Sequence, residues 1–308
     1  LKHWKSAQPQ LHCTGMNEPK FAVVIVSWNV KQALLRCVGS LMQASQGTAE
    51  VMVVDNASND GTAVALAHKY PQVRVLPQSV NLGFAKACNL GASLTTAPGL
   101  VFLNPDTEVS PGFFSELEKF LAQHTQVGVV GAQISNPDGT TQASVRSLPT
   151  LWPLALDSLK LLKRLPWLAP AYLLPTFDYS RSQIVSQVMG ACFIVPRNIW
   201  ERLNGFNENY FVWFEEVDFC ARVKKLGLEV WYDADLKLIH QQGQSAKQIS
   251  YIRRHLMYTR SMITYAKVHL GRSSMLLLRL TSALGLVIMM LVQAFITLIR
   301  KYQNGHGN

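Results

Sequence analysis

Leu100-Val101-Phe102-Leu103-Asn104-Pro105-Asp106-Thr107 is the stretch whose reading decides the fold. Four apolar residues in a row read as a short strand buried on both faces, the kind found inside parallel sheets. Pro105 ends it, because proline has no N–H to give to a sheet ladder and fixes its own backbone angle. Asp106 is thereby held at the strand's carboxyl end. In open α/β sheets that edge is where ligands bind. A carboxylate there can hold a hard divalent cation, which can grip a diphosphate. Taken alone, Asn104-Pro105-Asp106 reads first as an ordinary turn; its surroundings change that.

Upstream, the same signature repeats. Phe21–Val26 is an apolar strand ending at Ser27-Trp28-Asn29, and Val51–Val54 is another ending at Asp55-Asn56. Between them Leu34, Leu35, Val38, Leu41 and Met42 recur at helical spacing. Asp55–Thr62 is a polar Asx-rich turn opening a helix through His68, Val73–Leu76 is a short strand, and a helix from Asn81 reaches about Thr95. Downstream, Ser110-Pro111 is expected to start a helix in the N-cap and first-turn positions. Strands alternating with helices over short links predict a mostly parallel α/β sheet. The second half is less regular. Val127–Ile134 and Val188–Val195 read as strands, Asn198–Leu203 as a short helix, Glu215–Leu226 as a helix, and Leu228–Tyr232 and Leu236–Ile239 as two strands. Residues 147–180 carry Pro149, Pro153, Pro166, Pro170 and Pro175, and are expected to form a long loop region with one short helix.

Composition narrows the function. With 48% hydrophobic and 16% charged residues, the 308-residue chain is globular and can bury a real core. The net charge of +10 is uneven. Asp235 is the last acidic residue; Lys237, Lys247, Arg253, Arg254, Arg260, Lys267, Arg272, Arg279, Arg300 and Lys301 follow it. The residues before that tail balance cations against anions, which argues against a nucleic-acid groove across the main domain. The five cysteines are scattered without a Cys-x-x-Cys, so neither a zinc knuckle nor a disulfide framework is indicated. There is no Gly-x-Gly-x-x-Gly after the first strand and no Gly-Lys-Ser/Thr phosphate loop.

Polar clusters at Ser27–Asn29, Asp55–Thr62 and Asn104–Asp106 all follow predicted strands, so a parallel sheet would bring them to one rim. Further clusters are His240–Ser245 and, at a helix start, Glu215-Glu216-Val217-Asp218. The runs VVIVSWN (23–29), VVDNASNDGT (53–62), NLGFAKACN (81–89), VFLNPDT (101–107), MGACFIVPR (189–197), YFVWFEEVDFCARVKKLG (210–227) and HQQGQS (240–245) resemble, in order, those of family 2 glycosyltransferases with the GT-A fold. The similarity is to the branch containing rhamnosyltransferases of bacterial cell-surface polysaccharides; the branch, and with it the sugar, is less firmly marked than the family. The resemblance implies that Asp55 and Asn56 meet the nucleotide, that Ser27 and Asn29 lie under the nucleoside, and that Gly83 and Phe84 face the donor. It makes Asp106 a ligand of a divalent cation, Mg²⁺ or Mn²⁺, and His240 a second ligand or a diphosphate contact, with Asn104 standing where the family carries a first Asp. An amide adds no charge, which would weaken that cation site. Glu216 matches the catalytic base, with Glu215 and Asp218 beside it, and Trp213 would shape the acceptor pocket. Asp218 and Arg222 also have the spacing of an ordinary helical ion pair.

The chemistry agrees with those roles. Transfer from a sugar nucleotide expels a nucleoside diphosphate, whose charge a cation neutralises. The acceptor hydroxyl loses its proton to a carboxylate on the opposite face, and one in-line displacement inverts the anomeric centre. The helix N-terminus is expected to keep Glu216 ionised. The implied donor is a nucleoside-diphosphate sugar, and the acceptor a saccharide or polyprenyl-linked saccharide. The other readings are a nucleotidyltransferase, disfavoured because Ser-Trp-Asn-Val-Lys replaces its glycine-rich loop, and a membrane-tethered sugar-nucleotide-binding protein without catalysis.

Residues 1–19 read as an extension, expected to be disordered, with Met16 as the natural start and no signal-peptide core in residues 1–15. Residues 20–246 would be the catalytic domain, with a donor half to about 110 and an acceptor half after it. Residues 247–308 would be a basic, apolar, helical tail. Leu280–Ile299 has no charge over a bilayer-crossing length, between Arg279 and Arg300-Lys301. The tail is expected to associate with the cytoplasmic face of a bacterial inner membrane, as an interfacial or spanning helix. The alternative is packing on the catalytic domain or on a second copy in a homodimer.

Overall fold

A computed structural model describes residues 18–243 and 248–305, so the expectations for residues 1–17, Met16 included, and for Ser245 lie outside the described residues. The elements of the first half are β1 (Phe21–Ser27), α1 (Lys31–Ser45), β2 (Ala49–Asp55), α2 (Thr62–Lys69), β3 (Arg74–Pro77), α3 (Phe84–Ala92), β4 (Gly99–Leu103), β5 (Thr107–Val109), α4 (Phe113–Gln123) and β6 (Val127–Ser135). There follow β7 (Val145–Arg146), α5 (Leu151–Ser158), α6 (Pro170–Leu173), β8 (Gln183–Val185), β9 (Gln187–Val188), β10 (Cys192–Pro196), α7 (Arg197–Arg202), α8 (Glu215–Lys225), β11 (Glu229–His240), α9 (Tyr251–Tyr265) and α10 (Arg272–Gly305). A nine-stranded sheet runs β3-β2-β1-β4-β10-β6-β11-β5, with β8 also paired to β11. Strands β3, β2, β1, β4, β6 and β11 point one way; β10, β5 and β8 oppose them. The sheet is mostly parallel and flanked by helices, as expected.

Successive strand residues point to opposite faces. Phe21, Val23 and Ile25 of β1, with Val101 and Leu103 of β4, join one core with α1 and α4. Ala22, Val24 and Val26, with Leu100 and Phe102, join a second core with α3, α7 and α8. Both faces of the central strands are therefore covered, which is why they carry apolar runs and no alternation. Phe102 anchors the second core; its ring centroid lies 4.4 Å from that of Trp200 and 5.3 Å from that of Phe206.

Several element boundaries differ from the sequence expectation. Helix α4 starts at Phe113 rather than at Ser110-Pro111, because Gly112 takes a left-handed φ of 82° that interrupts the helix there. Residues 147–180 hold two α-helices, α5 and α6, and a 3₁₀ turn at Pro166–Leu168. Pro153 falls in the first turn of α5, where its missing N–H costs nothing. The strand expected at Val188–Val195 is split into β9 and β10 around Met189-Gly190-Ala191. The two strands expected after Leu228 are one, β11, with a bulge between Asp233 and Lys237.

The end of the chain folds back on this body. Met262, Tyr265 and Ala266 of the α9 segment and Leu278 of α10 pack with Leu154, Tyr210, Phe214 and Val217. A π-helical turn, Ala266–Leu270, and Gly271 separate α9 from α10. Ser158 Oγ of α5 donates to Thr281 Oγ1 at 2.8 Å. Arg272–Leu291, with a mean hydropathy of 2.0, is long and apolar enough to cross a membrane.

Phe102→Ala is expected to cost about 3–5 kcal/mol of folding stability, the usual range for emptying a packed aromatic site. Urea unfolding followed by tryptophan fluorescence checks this; a loss under about 1 kcal/mol would contradict the core described here.

Candidate active site

The carboxyl ends of β1, β2 and β4 stand side by side. Ser27 faces Asp55 in the parallel register of β1 and β2, and both are buried. Ser27 Oγ has no hydrogen-bond partner among the described residues. Asp55 Oδ1 accepts from the Ser58 hydroxyl and, at 3.3 Å, from the Ser58 N–H. Asn29, at a left-handed φ of 51°, donates its N–H to Ser58 Oγ at 2.9 Å, while its Oδ1 accepts from the Asn59 N–H at 2.8 Å. The loops after β1 and β2 are thus stitched into one floor.

Asn56 extends that floor. Its Nδ2 donates to the Gly83 carbonyl at 3.1 Å and its Oδ1 accepts from the Leu82 N–H at 3.2 Å. Gly83 has a φ of 82°, and a Cβ there would lie 2.5 Å from the Phe211 carbonyl. The Phe84 N–H donates to that same carbonyl at 2.6 Å. The loop before α3 is therefore pinned to the segment that leads into α8. Asn56 spends its whole side-chain amide, and Asn29 its Oδ1, on loop architecture, so both shape this pocket through the backbone they hold.

Asp106 and His240 meet. His240 Nε2 lies 3.3 Å from Asp106 Oδ1, and Asn104 Nδ2 lies 3.3 Å from the same ring nitrogen. Strand β11 brings them together by pairing antiparallel with β5, with His240 opposite Thr107. The Gln241 N–H then donates to the Asp106 carbonyl at 2.9 Å. His240 Nδ1 contacts Gln142 Oε1 at 3.1 Å. Gln142 spends its amide N–H groups on the His240 carbonyl at 2.7 Å and on Asn136 Oδ1 at 2.8 Å. Its Oε1 is therefore an acceptor, which puts the imidazole proton on Nδ1 and a lone pair on Nε2, aimed at Asp106. Metal-binding histidines are oriented by the same kind of contact. A lone pair and a carboxylate facing each other at this range repel unless a proton or a cation lies between them, so the donor set fits a hard divalent ion. Among the described residues, no cluster of three or more His, Cys, Asp and Glu forms there.

Across the rim stands the carboxylate pair. Trp213 and Phe214 both have left-handed backbone, with φ of 65° and 72°, immediately before α8. Two such bulky residues in sequence cost of order 1–3 kcal/mol each, a strain that concentrates at functional sites. Trp213 stacks edge-on to Tyr258 of α9, ring centroids 5.9 Å apart. Glu215 is buried on the side of α3; the Cys88 thiol of that helix is pushed well up by burial first and by the nearby Glu215 second. Glu216 is turned the other way, against Gly190: a Cβ on Gly190 would sit 3.5 Å from Glu216 Cγ. The Glu216 Oε2 atom is buried without a hydrogen-bond partner among the described residues.

The helix N-terminus, expected to keep Glu216 ionised, is opposed by burial. Loss of water pushes its carboxyl up to about 6, against the pull of the backbone N–H groups of Phe214, Glu216 and Val217. Burial raises Glu215 well above the usual carboxylate range, with the adjacent Glu216 adding to the effect. Burial thus disfavours the charged form of both carboxyls, and more strongly that of Glu215. Asp218 is engaged elsewhere. It accepts from Arg222 Nε at 2.7 Å, meets His269 Nε2 at 2.7 Å and lies 3.5 Å from the Tyr210 hydroxyl. It ties α8 to the turn before α10.

The two sides of the rim share a neighbour. The Asn104 N–H donates to the Ala191 carbonyl at 3.0 Å, and Glu216 lies on Gly190. Asn104 and Glu216 thus touch consecutive residues of the break between β9 and β10. Sequence reasoning assigned no role to Gln142, Gly190 or His269. Gln142 orients His240 from 98 residues away, and no local pattern announces such a pairing.

Comparison with known proteins bears on the family and the fold. The profile of Glycosyl transferase family 2 matches residues 22–205. An N-acetylglucosaminyl-diphospho-decaprenol L-rhamnosyltransferase from Mycobacterium tuberculosis is 30% identical over 246 residues, 72% of this chain and 76% of that one. Among solved structures, a mannosyltransferase from Pyrobaculum calidifontis in complex with GDP-Man and Mn²⁺ aligns with a TM-score of 0.54 at 17% identity, covering 98% of this chain and 86% of that one. S. aureus TarS with UDP-GlcNAc aligns at 0.53 and 16% identity, covering 80% of this chain and 66% of that one. These two show the GT-A type of fold. Since the profile spans more than half of the sequence, the chain belongs to glycosyl transferase family 2.

Proposed function

We propose that the protein is an inverting, cation-dependent glycosyltransferase that moves a sugar from a nucleoside diphosphate to a saccharide on a lipid carrier, at the cytoplasmic face of a bacterial inner membrane. Rhamnose is the sugar favoured by the M. tuberculosis relative, whose name states rhamnosyl transfer and a lipid diphosphate acceptor. The observation that supports the reading is the shared contact of Asn104 and Glu216 with Ala191 and Gly190, close to the Asp106–His240 pair, with Glu216 Oε2 lacking a hydrogen-bond partner among the described residues.

In this reading Asp55 and the buried Ser27 hydroxyl take the nucleoside, with Gly83 and Phe84 closing over it. Asp106, His240 and Asn104 would hold the divalent cation, which supplies charge neutralisation at the departing diphosphate. Gln142 keeps Nε2 of His240 aimed at that point. Glu216 accepts the proton of the attacking hydroxyl; a base with a pKa near 6 is ionised at neutral pH and still basic enough to act. Glu215, protonated, adds no second negative charge beside it. Trp213 offers an apolar face to the acceptor sugar. Asp218 positions α8. The tail, with Arg272–Leu291 as its apolar part, keeps the enzyme at the surface where a lipid-linked acceptor is found.

Asp106→Ala and Glu216→Gln are each expected to lower turnover at least about 100-fold, the scale of losing a charge-stabilising or base group. Release of nucleoside diphosphate from a panel of sugar nucleotides with Mn²⁺ or Mg²⁺ measures this. Nucleotide binding without sugar transfer by the wild-type protein would overturn the proposal. Glu215→Gln mimics the protonated acid and is expected to keep turnover within about tenfold of wild type. Because Glu216 must be ionised to act, kcat/KM is expected to be flat above the pKa of about 6 and to fall about tenfold per pH unit below it. A profile without that acid limb would remove Glu216 as the base.

A further inference from the structure

A cleft of about 430 Å³ lies between α9, the π-helical turn and α10, and none of its lining residues belongs to the rim described above. Leu256, Arg260, Ile263 and Lys267 line one wall, and Met275 and Arg279 line the other. The first four follow at i, i+4, i+7 and i+11, so they form one stripe along α9 into the turn, and Met275 and Arg279 are one helical turn apart. The other side of α9, with Met262 and Tyr265, is buried against the body of the protein. The stripe therefore faces outward.

Two features give this cleft a chemistry. First, Arg260, Lys267 and Arg279 form no ion pair with a carboxylate among the described residues. No acidic residue follows Asp235 in the sequence, and the carboxylates that reach this segment from elsewhere, Asp157 and Asp218, face Tyr258 and His269. Three like charges around one opening repel each other and favour an anion among them. Second, the walls between these cations are apolar at Leu256, Ile263 and Met275, with Thr259 and Thr264 beside them, and α10 continues outward with Leu276, Leu280 and Leu284 exposed by 54%, 69% and 53%. A small hydrated anion would use the charges and leave the leucines in water. A phosphate with an acyl chain attached satisfies both.

We propose that this cleft is a binding site for the phosphate headgroup of an anionic phospholipid of the bilayer. Arg260, Lys267 and Arg279 surround the phosphate, and the acyl chain runs along Leu256, Ile263 and Met275 toward the exposed leucines of α10. This rests on the reading of the tail as membrane-associating and adds a defined headgroup site to it. The π-helical turn contributes by placing Lys267 at the closed end of the V between the helices.

Flotation of the full chain with vesicles of phosphatidylcholine, alone or mixed with phosphatidylglycerol, tests it. The wild-type protein is expected to bind the mixed vesicles more tightly. The Arg260→Gln/Lys267→Gln/Arg279→Gln variant is expected to bind them about 100-fold more weakly, from the loss of three cations at a membrane surface. A control that loses the same charge outside the cleft, Arg253→Gln/Arg254→Gln/Arg272→Gln, is expected to stay within about tenfold of wild type. Hydrolysis of sugar nucleotide should be equal in the wild type and the cleft variant, which shows that the variant is folded. Equal weakening in both variants would overturn the site in favour of diffuse tail charge. Displacement of the vesicles by inorganic phosphate would overturn the lipid in favour of a free anion. Equal binding to both kinds of vesicle would overturn the headgroup site while leaving membrane association standing. Failure to bind either would overturn both.

Discussion

The pairing of β11 with β5, in which His240 stands opposite Thr107, is the contact on which the site depends. Asp106 is placed by its own strand, since β4 ends at Leu103 and the chain turns at Asn104-Pro105. It meets His240 only because a strand from the far end of the domain returns to the same edge. Gln142 then converts proximity into orientation. With its amide N–H groups spent on the His240 carbonyl and on Asn136, it can only accept from Nδ1. Losing that contact would free the ring to turn while leaving every strand in place.

The second constraint is burial of the carboxylate pair. Two acids in sequence at a helix start would both be ionised in water. Here α8 carries one toward α3 and the other toward Gly190, and the loss of solvent raises both carboxyls, Glu215 the more. The helix N-terminus works in the opposite sense and is outweighed. The left-handed backbone of Trp213 and Phe214 is what lets α8 begin at Glu215 while Phe211 still reaches the loop before α3. Strain in the backbone and burial of two carboxyls thus fall on the same few residues, as functional sites commonly show.

The tail is joined to this machinery. Asp218, two residues beyond Glu216, meets His269 in the π-helical turn, and Tyr258 of α9 lies against both Trp213 and Phe214. Whatever holds α9 and α10 therefore bears on the helix that carries the carboxylates. The inner face of the tail is spent on the protein's own core, through Met262, Tyr265, Ala266 and Leu278. Its outer face keeps the cations and the exposed leucines.

Much of this protein was legible from its residues in order. The apolar runs of β1, β2 and β4 and the polar residues after them announce a parallel sheet with one functional rim, because strand burial and strand ends leave local marks in composition. Family motifs carry Asp55, Asp106 and Glu216 on the same local terms. The boundaries that failed are those where a neighbour overrides local preference: Gly112 delaying α4, the bulge that joins two expected strands into β11, and the break around Gly190. Only the tertiary structure decided that His240 reaches Asp106, that Gln142 selects its tautomer, and that Glu215 and Glu216 part company. Those facts depend on contacts between residues far apart in the chain and on how much water the fold leaves around them, and neither distance nor solvation is written in any local stretch of sequence.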